Sequence, residues 1–151
     1  PGQLPLDMER LDNSLESLGL RERGIELWIE PGRFCVATAG VLLTRVTQLK
    51  TKGTIHYIGV DAGMHSLIRP ALYGAYHQIE NLSRLGEPRA ITANVVGPIC
   101  ESGDTLGHDR RLPETQEGDV MLVATAGAYG AAMASNYNLR GLPREVLVER
   151  S

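Results

Sequence analysis

Lysine is nearly missing from this chain: Lys50 and Lys52 are the only two in 151 residues. The net charge is −3, with acids and bases interspersed. No long basic run exists to displace counterions, which argues against nucleic-acid and anionic-membrane partners. Apolar runs are short, and none approaches the length of a membrane-spanning helix. The opening PGQLPLDMER has neither a charged start nor an apolar stretch, so it does not read as a secretory signal. Cysteine is equally scarce. Cys35 and Cys100 lie far apart and form neither a CxxC pair nor a disulfide framework. Reduced thiols and a cytoplasmic location follow. The histidines, His56, His65, His77 and His108, lack metal-ligand spacing, and HExxH is missing, so no metal is expected. There is no P-loop, no GxGxxG after a strand and no GxSxG.

What remains is an ordinary globular composition, 42% hydrophobic and 22% charged, with 17 glycines that mark a turn-rich chain. The length suffices for one domain with a core. A start at Pro1 rather than Met suggests a piece of a longer protein. MERLDNSLESLGL places Met8, Leu11, Leu15 and Leu18 on one helical face, with Gly19 as C-cap. IELWIE, residues 25–30, predicts a strand ending at Pro31-Gly32. FCVATAGVLL begins as a helix. Two strands follow, with Val46 and Leu49 before a turn at Lys52-Gly53 and Ile55, Tyr57, Ile58 and Val60 after it. SLIRPALYGAYH is a short helical stretch broken by Pro70. IENLSRL, RAITANVVGPI and DVMLVATAG predict strands, DTLGHDRRLPETQEGD a polar loop, and PREVLVE a closing strand. A strand–helix unit followed by a β-rich region divides the chain near residues 41–45.

Four short motifs could carry chemistry. Glu30-Pro31-Gly32-Arg33 leads from a strand into a helix, where backbone and guanidinium can receive an anion. The same four residues also make a plain turn with a surface Glu–Arg pair. Arg69 and Tyr73 are four apart and share a helical face, as a carboxylate clamp or as an exposed Arg beside a half-buried Tyr. GAYG, residues 127–130, lets the Tyr129 phenol stand over a ligand, or packs it in the core. PICESGD, residues 98–104, sets Cys100 beside Glu101. A thiol next to negative charge is a poor nucleophile but a proton donor, and a carboxylate suits an ammonium group. The alternative is a buried Cys beside a solvent-facing Glu. Cys35 reads as a core thiol.

In this order, EPGR, VDAG with IRPALYGAYH, CESGD and AGAYG resemble the C-terminal part of the fold-type III pyridoxal-phosphate decarboxylases. The resemblance runs from about Ile25 to Val148. CESGD carries Glu where ornithine-type relatives carry Asp, which points to the diaminopimelate branch. His77-Gln78 departs from the His-Pro common in relatives.

The resemblance implies a mainly β fold: residues 1–40 as the last strand and helix of a (β/α)₈ barrel, residues 41–151 as a Greek-key-like β-barrel or sandwich. It implies pyridoxal 5'-phosphate as cofactor, meso-diaminopimelate as substrate, lysine and CO₂ as products, and a homodimer with shared active sites. Glu30 would pair with the pyridine nitrogen, while Gly32, Arg33 and Tyr129 would receive the phosphate. Arg33, Arg69, Tyr73 and Tyr129 would line the distal carboxylate site. Cys100, as proton donor, and Glu101, as ammonium ligand, would enter from the partner subunit. The Schiff-base lysine belongs to the missing N-terminal barrel, so the chain alone is expected to be inactive. Competing readings are a decarboxylase for another basic or carboxylated amino acid, and a non-catalytic dimerisation homologue.

Overall fold

Asp7 starts the first helix by accepting a hydrogen bond from the Arg10 N–H at 2.9 Å, an N-cap that satisfies one orphan donor. This helix, α1 (Met8–Glu16), buries no residue and is capped by Ser17 rather than Gly19, so Leu18 lies beyond it; Met8 and Leu18 stay about half exposed. The computed structural model describes residues 6–149; residues 1–5, where the signal-sequence reading falls in part, lie outside the described residues. IELWIE forms no strand among the described residues, contrary to the sequence pattern. Its residues have no neighbouring strand to pair with, and Trp28 is 82% exposed. A short helix, α2 (Gly32–Val36), continues into a 3-10 turn at Ala37–Ala39. Cys35 on α2 is exposed rather than a core thiol, because α2 buries none of its residues.

The β-structure begins with β1 (Leu42–Lys52), which turns at Gly53 (φ +61°) into β2 (Ile55–Val60). Lys50 and Lys52 are exposed beside this turn. Then come α3 (Arg69–Tyr73), β3 (Ile79–Asn81), β4 (Ile91–Val96), β5 (Thr105–Leu112) and β6 (Val120–Val123). Pro70 sits in the first turn of α3, where its missing N–H costs nothing, so it starts the helix rather than breaking it. The strands form one sheet in the order β3-β6-β1-β2-β4-β5. Neighbours are antiparallel except β2 and β4. A β-carbon at Gly107 on β5 would stand 2.9 Å from Ile79 Cδ1 on β3, so the two edge strands approach and the sheet nearly closes into a barrel. Val46, Ile58, Val60, Leu67, Ile79, Val95, Leu106, Leu112, Met121 and Val123 fill its interior.

Two sequence expectations fail here. The polar stretch after Asp104 is not a loop but β5, paired with β4. Its charges lie at the sheet edge against groups distant in sequence, although Arg110 Nε is buried without a hydrogen-bond partner among the described residues. The Arg110 guanidinium stacks 3.9 Å over Tyr76, and Arg111 and Arg89 each donate to the other's carbonyl. PREVLVE forms no closing strand; Val146, Leu147 and Val148 are at least 80% exposed and have no ladder partner among the described residues.

A buried polar network fastens β3 to the turn before β6. Asp119 accepts from Asn81 Nδ2 at 2.9 Å, Arg84 Nε at 2.8 Å and the Gln116 N–H at 2.9 Å. Burial pushes the Asp119 carboxyl up, but these hydrogen bonds and the Arg84 charge outweigh it and hold it below its ordinary range. Burial also holds His65 and His77 below their ordinary 6.5. The unfolded chain therefore binds protons more readily at all three groups. The histidine contribution to stability is present above pH 6.5 and lost below it. The Asp119 contribution persists above the ordinary carboxyl range and is lost as pH falls through its depressed value. Urea midpoints should thus fall on acidification, first below 6.5 and again in strong acid; a constant midpoint from neutral pH down to about 4 would contradict this assignment.

Candidate functional site

The turn at residues 37–40, which follows EPGR through α2, and the start of the GAYG turn are distant in sequence and joined by backbone. Ala126 N–H donates to the Gly40 carbonyl at 2.8 Å, and Gly127 N–H to the Ala37 carbonyl at 3.0 Å. The chains touch so closely that a β-carbon on Gly127 would collide with the Val36 carbonyl oxygen. This contact brings Tyr129 to Gly32: its Oη lies 3.9 Å from where a β-carbon of residue 32 would stand. Tyr129 is in the left-handed region at φ +58°, a conformation that costs a non-glycine residue about 1–3 kcal/mol and clusters at ligand sites. Gly32 N–H turns back to the Glu30 carbonyl at 2.9 Å, leaving the N–H groups of Arg33 and Phe34 without backbone acceptors among the described residues.

Arg69 opens α3, and its guanidinium carbon lies 5.9 Å from the Tyr73 ring centroid and 5.8 Å from that of Tyr129. Gly74 (φ +61°) ends the helix after one turn and keeps Arg69 and Tyr73 on one face. Gly32, Arg69, Tyr73 and Tyr129 are therefore one connected group, with the arginine held between two aromatic faces. Glu30 and Arg33 are exposed on the adjoining segment, with no side-chain hydrogen bond or ion pair among the described residues. The group offers a cation, two phenols and free backbone N–H donors, a set suited to anionic oxygen atoms.

Cys100 and Glu101 form a second group. Both are exposed, and no hydrogen bond among the described residues links them to the first. Tyr137 Oη donates to Glu101 Oε1 at 2.6 Å, and Asn138 Nδ2 donates to Cys100 Sγ at 3.4 Å. The Glu101 carboxylate, through this hydrogen bond and then its charge, raises the Tyr137 phenol above its ordinary range.

Beneath this pair lies a residue to which the sequence reading gave no role. Asp104 is 3% exposed. Its carboxylate accepts from the Met64 N–H at 2.5 Å and the Ile99 N–H at 2.6 Å, fastening the VDAG turn to the residue before Cys100. Gly63 and Gly97 crowd against it, and a β-carbon on either would run into the carboxylate. The sequence signal was the recurrence of glycine in VDAG and VVGP, which permits such an approach without naming its target. Tyr137 and Asn138 were likewise missed, since only the fold brings them to residues 36 and 38 positions earlier.

The C-terminal sheet domain of pyridoxal-dependent decarboxylases matches residues 33–127. Over 130 residues the chain is 53% identical to a diaminopimelate decarboxylase of Neisseria meningitidis serogroup A, covering 84% of this chain and 31% of that protein. The chain spans about a third of the length of the curated relatives it matches. Among solved structures, diaminopimelate decarboxylase from Helicobacter pylori complexed with L-lysine superposes with a TM-score of 0.80 at 35% identity, over 92% of this chain and 34% of that one. A lysine/ornithine decarboxylase from Vibrio vulnificus superposes with a TM-score of 0.79 at 24% identity, over 93% and 38%, which shows the shared fold alone. By the extent of the family match, the chain belongs to the pyridoxal-dependent decarboxylases, as their C-terminal sheet domain.

Proposed function

We propose that this chain is the C-terminal part of a decarboxylase that converts meso-diaminopimelate to L-lysine and CO₂. The observation that carries the reading is the connected group of Gly32, Arg69, Tyr73 and Tyr129, which gathers carboxylate- and phosphate-binding chemistry from three separate segments. Relatives at about 50% identity that are diaminopimelate decarboxylases support it.

Pyridoxal 5'-phosphate fits these residues. Among the described residues the only near neighbour of a β-carbon at Gly32 would be the Tyr129 hydroxyl, and the open first turn of α2 supplies N–H donors. Arg33, Gly32 and Tyr129 would hold the phosphate, and Glu30 would keep a proton on the pyridine nitrogen. When bound, the cofactor supplies an electron sink for the pair left behind as CO₂ departs. Arg33 and Arg69 bind the distal carboxylate of the substrate, with Tyr73 and Tyr129 as hydroxyl partners. Glu101 binds the distal ammonium. Cys100 returns a proton to the carbon that lost CO₂: its S–H bond breaks, a C–H bond forms, and the negative charge stays on sulfur.

Among the described residues the two groups share no hydrogen bond, which supports a homodimer in which Cys100 and Glu101 of one copy face the first group of the other. Residues 1–40 would complete the N-terminal barrel and residues 41–151 form the β-domain. Exposed Ile25, Leu27, Trp28, Ile29 and Phe34 supply an apolar face for that barrel. Neither Lys50 nor Lys52 lies near the site segments in sequence, and both sit at the exposed hairpin, so the Schiff-base lysine would come from the missing part.

The test is CO₂ release by the full-length enzyme with pyridoxal phosphate, offering meso-diaminopimelate, lysine, ornithine and arginine. Release is expected from diaminopimelate alone, and none from this 151-residue chain by itself. Glu101→Gln in the full-length enzyme should lower kcat/KM about a hundredfold, because the distal ammonium then lacks its counter-charge. Release from ornithine or lysine would overturn the distal-clamp argument, and release by the isolated chain would overturn the assignment of its missing lysine.

A further inference from the structure

The Cys100–Glu101 pair lies on an exposed turn, yet each side chain has a dedicated donor, and the two donors are adjacent in sequence. Tyr137 reaches Glu101 at 2.6 Å and Asn138 reaches Cys100 at 3.4 Å. The segment that delivers them is anchored independently of those contacts. Ser135 N–H donates to the His65 carbonyl at 2.8 Å. Asp104 fastens the CESGD loop to the neighbouring Met64. Both partners therefore hang on the same 63–66 turn, which fixes their separation.

The backbone of the donor segment is bent to make this possible. Asn138 (φ 56°, ψ 29°) and Leu139 (φ 57°) are consecutive residues in the left-handed region. Leu139 is 94% exposed, so no packing of its side chain among the described residues explains its unfavourable conformation. Asparagine tolerates the left-handed region better than most residues. Here it also turns its amide towards sulfur. Strain that persists without a packing reward is a signature of a functional constraint.

We propose that Tyr137 and Asn138 are positioning residues, one for each member of the Cys100–Glu101 pair. The Tyr137 hydroxyl occupies Glu101 Oε1 and orients the carboxylate, leaving Oε2 to accept the distal ammonium of a diamino-acid substrate. The Asn138 amide donates to the lone pairs of Cys100, which turns the S–H bond away from Asn138, and it gives the sulfur a donor once the proton has left. The inference rests on the roles given to Cys100 and Glu101 above. It adds that recognition and proton return are tuned separately by neighbouring residues.

The separation gives the test. In the full-length holoenzyme, Tyr137→Phe should raise KM for meso-diaminopimelate on the order of tenfold with kcat nearly unchanged. Asn138→Ala and Asn138→Gly should instead lower kcat on the order of tenfold with KM nearly unchanged. Glycine keeps the left-handed backbone without the amide. If Asn138→Gly behaves as wild type, the backbone alone matters and the proposal fails. It also fails if both parameters shift together in all three variants, as a collapsed turn would cause, or if none of them shifts while Glu101→Gln and Cys100→Ser are impaired. Unimpaired Glu101→Gln and Cys100→Ser enzymes would instead remove the underlying roles, and the proposal with them.

Discussion

Asp104→Ala should lower the unfolding free energy by about 3 kcal/mol, more than a typical substitution costs. The carboxylate is 3% exposed and accepts two short hydrogen bonds from the N–H groups of Met64 and Ile99. Removing it leaves two donors without acceptors, the buried Ile99 N–H and the part-buried Met64 N–H. Hydrogen bonds to a charged acceptor are worth about 1.5–3 kcal/mol each, and an orphaned buried donor costs its desolvation. Asp104→Asn should recover only part of the loss, since an amide offers one acceptor where two donors converge and points its own N–H groups at the other. The same bonds hold the residue preceding Cys100, so in the full-length enzyme CO₂ release should fall well below what the loss of stability explains. Urea unfolding of both variants checks the first claim. A change under about 0.5 kcal/mol for Asp104→Ala would show that water replaces the carboxylate without cost.

The parts of the fold written in local pattern were legible in the sequence, and those that depend on distant partners were not. The β1–β2 hairpin could be read because β-branched residues flank a glycine turn, and its register runs from Lys52 opposite Ile55 to Val46 opposite Val60. β5 was read as a loop because its charges looked solvated. Their partners, Tyr76 for Arg110 and Arg89 for Arg111, lie 34 and 22 residues away. IELWIE and PREVLVE err in the opposite sense. Both have strand composition, but a strand needs a neighbour, and none stands beside them among the described residues. The candidate site divides the same way. Arg69 and Tyr73 sit on one turn of helix as their spacing requires. That Gly32 should meet Tyr129, or that Asp104 should bind a backbone N–H 40 residues back, is a property of the folded sheet and has no local signature.

Gly127→Ala should damage the site more than the domain. A β-carbon there would collide with the Val36 carbonyl oxygen, lie 2.7 Å from Gly40 N and 3.1 Å from Ala37 O, and none of these backbone atoms can rotate away. The contact is mutual, because a β-carbon on Gly40 would stand 2.6 Å from Gly127 Cα. Relief requires residues 36–40 to part from the 126–127 turn, breaking the two backbone hydrogen bonds between them. Of the residues in this contact only Ala126 packs against the buried cluster, and it does so from the edge as a partly buried side chain. The stability loss should therefore stay near the 1–3 kcal/mol typical of overpacking. The separation of Gly32 from Tyr129, by contrast, opens the proposed phosphate site. In the full-length enzyme, affinity for pyridoxal phosphate should fall on the order of a hundredfold, the equivalent of about 2.7 kcal/mol. Gly141→Ala is the control: nothing among the described residues lies within 4 Å of its β-carbon and its φ is not positive, so both quantities should be unchanged. Titration of the cofactor into each variant, set against its unfolding midpoint, separates the two effects. Equal proportional losses in both would mean that the contact between residues 36–40 and 126–127 serves the fold rather than the site.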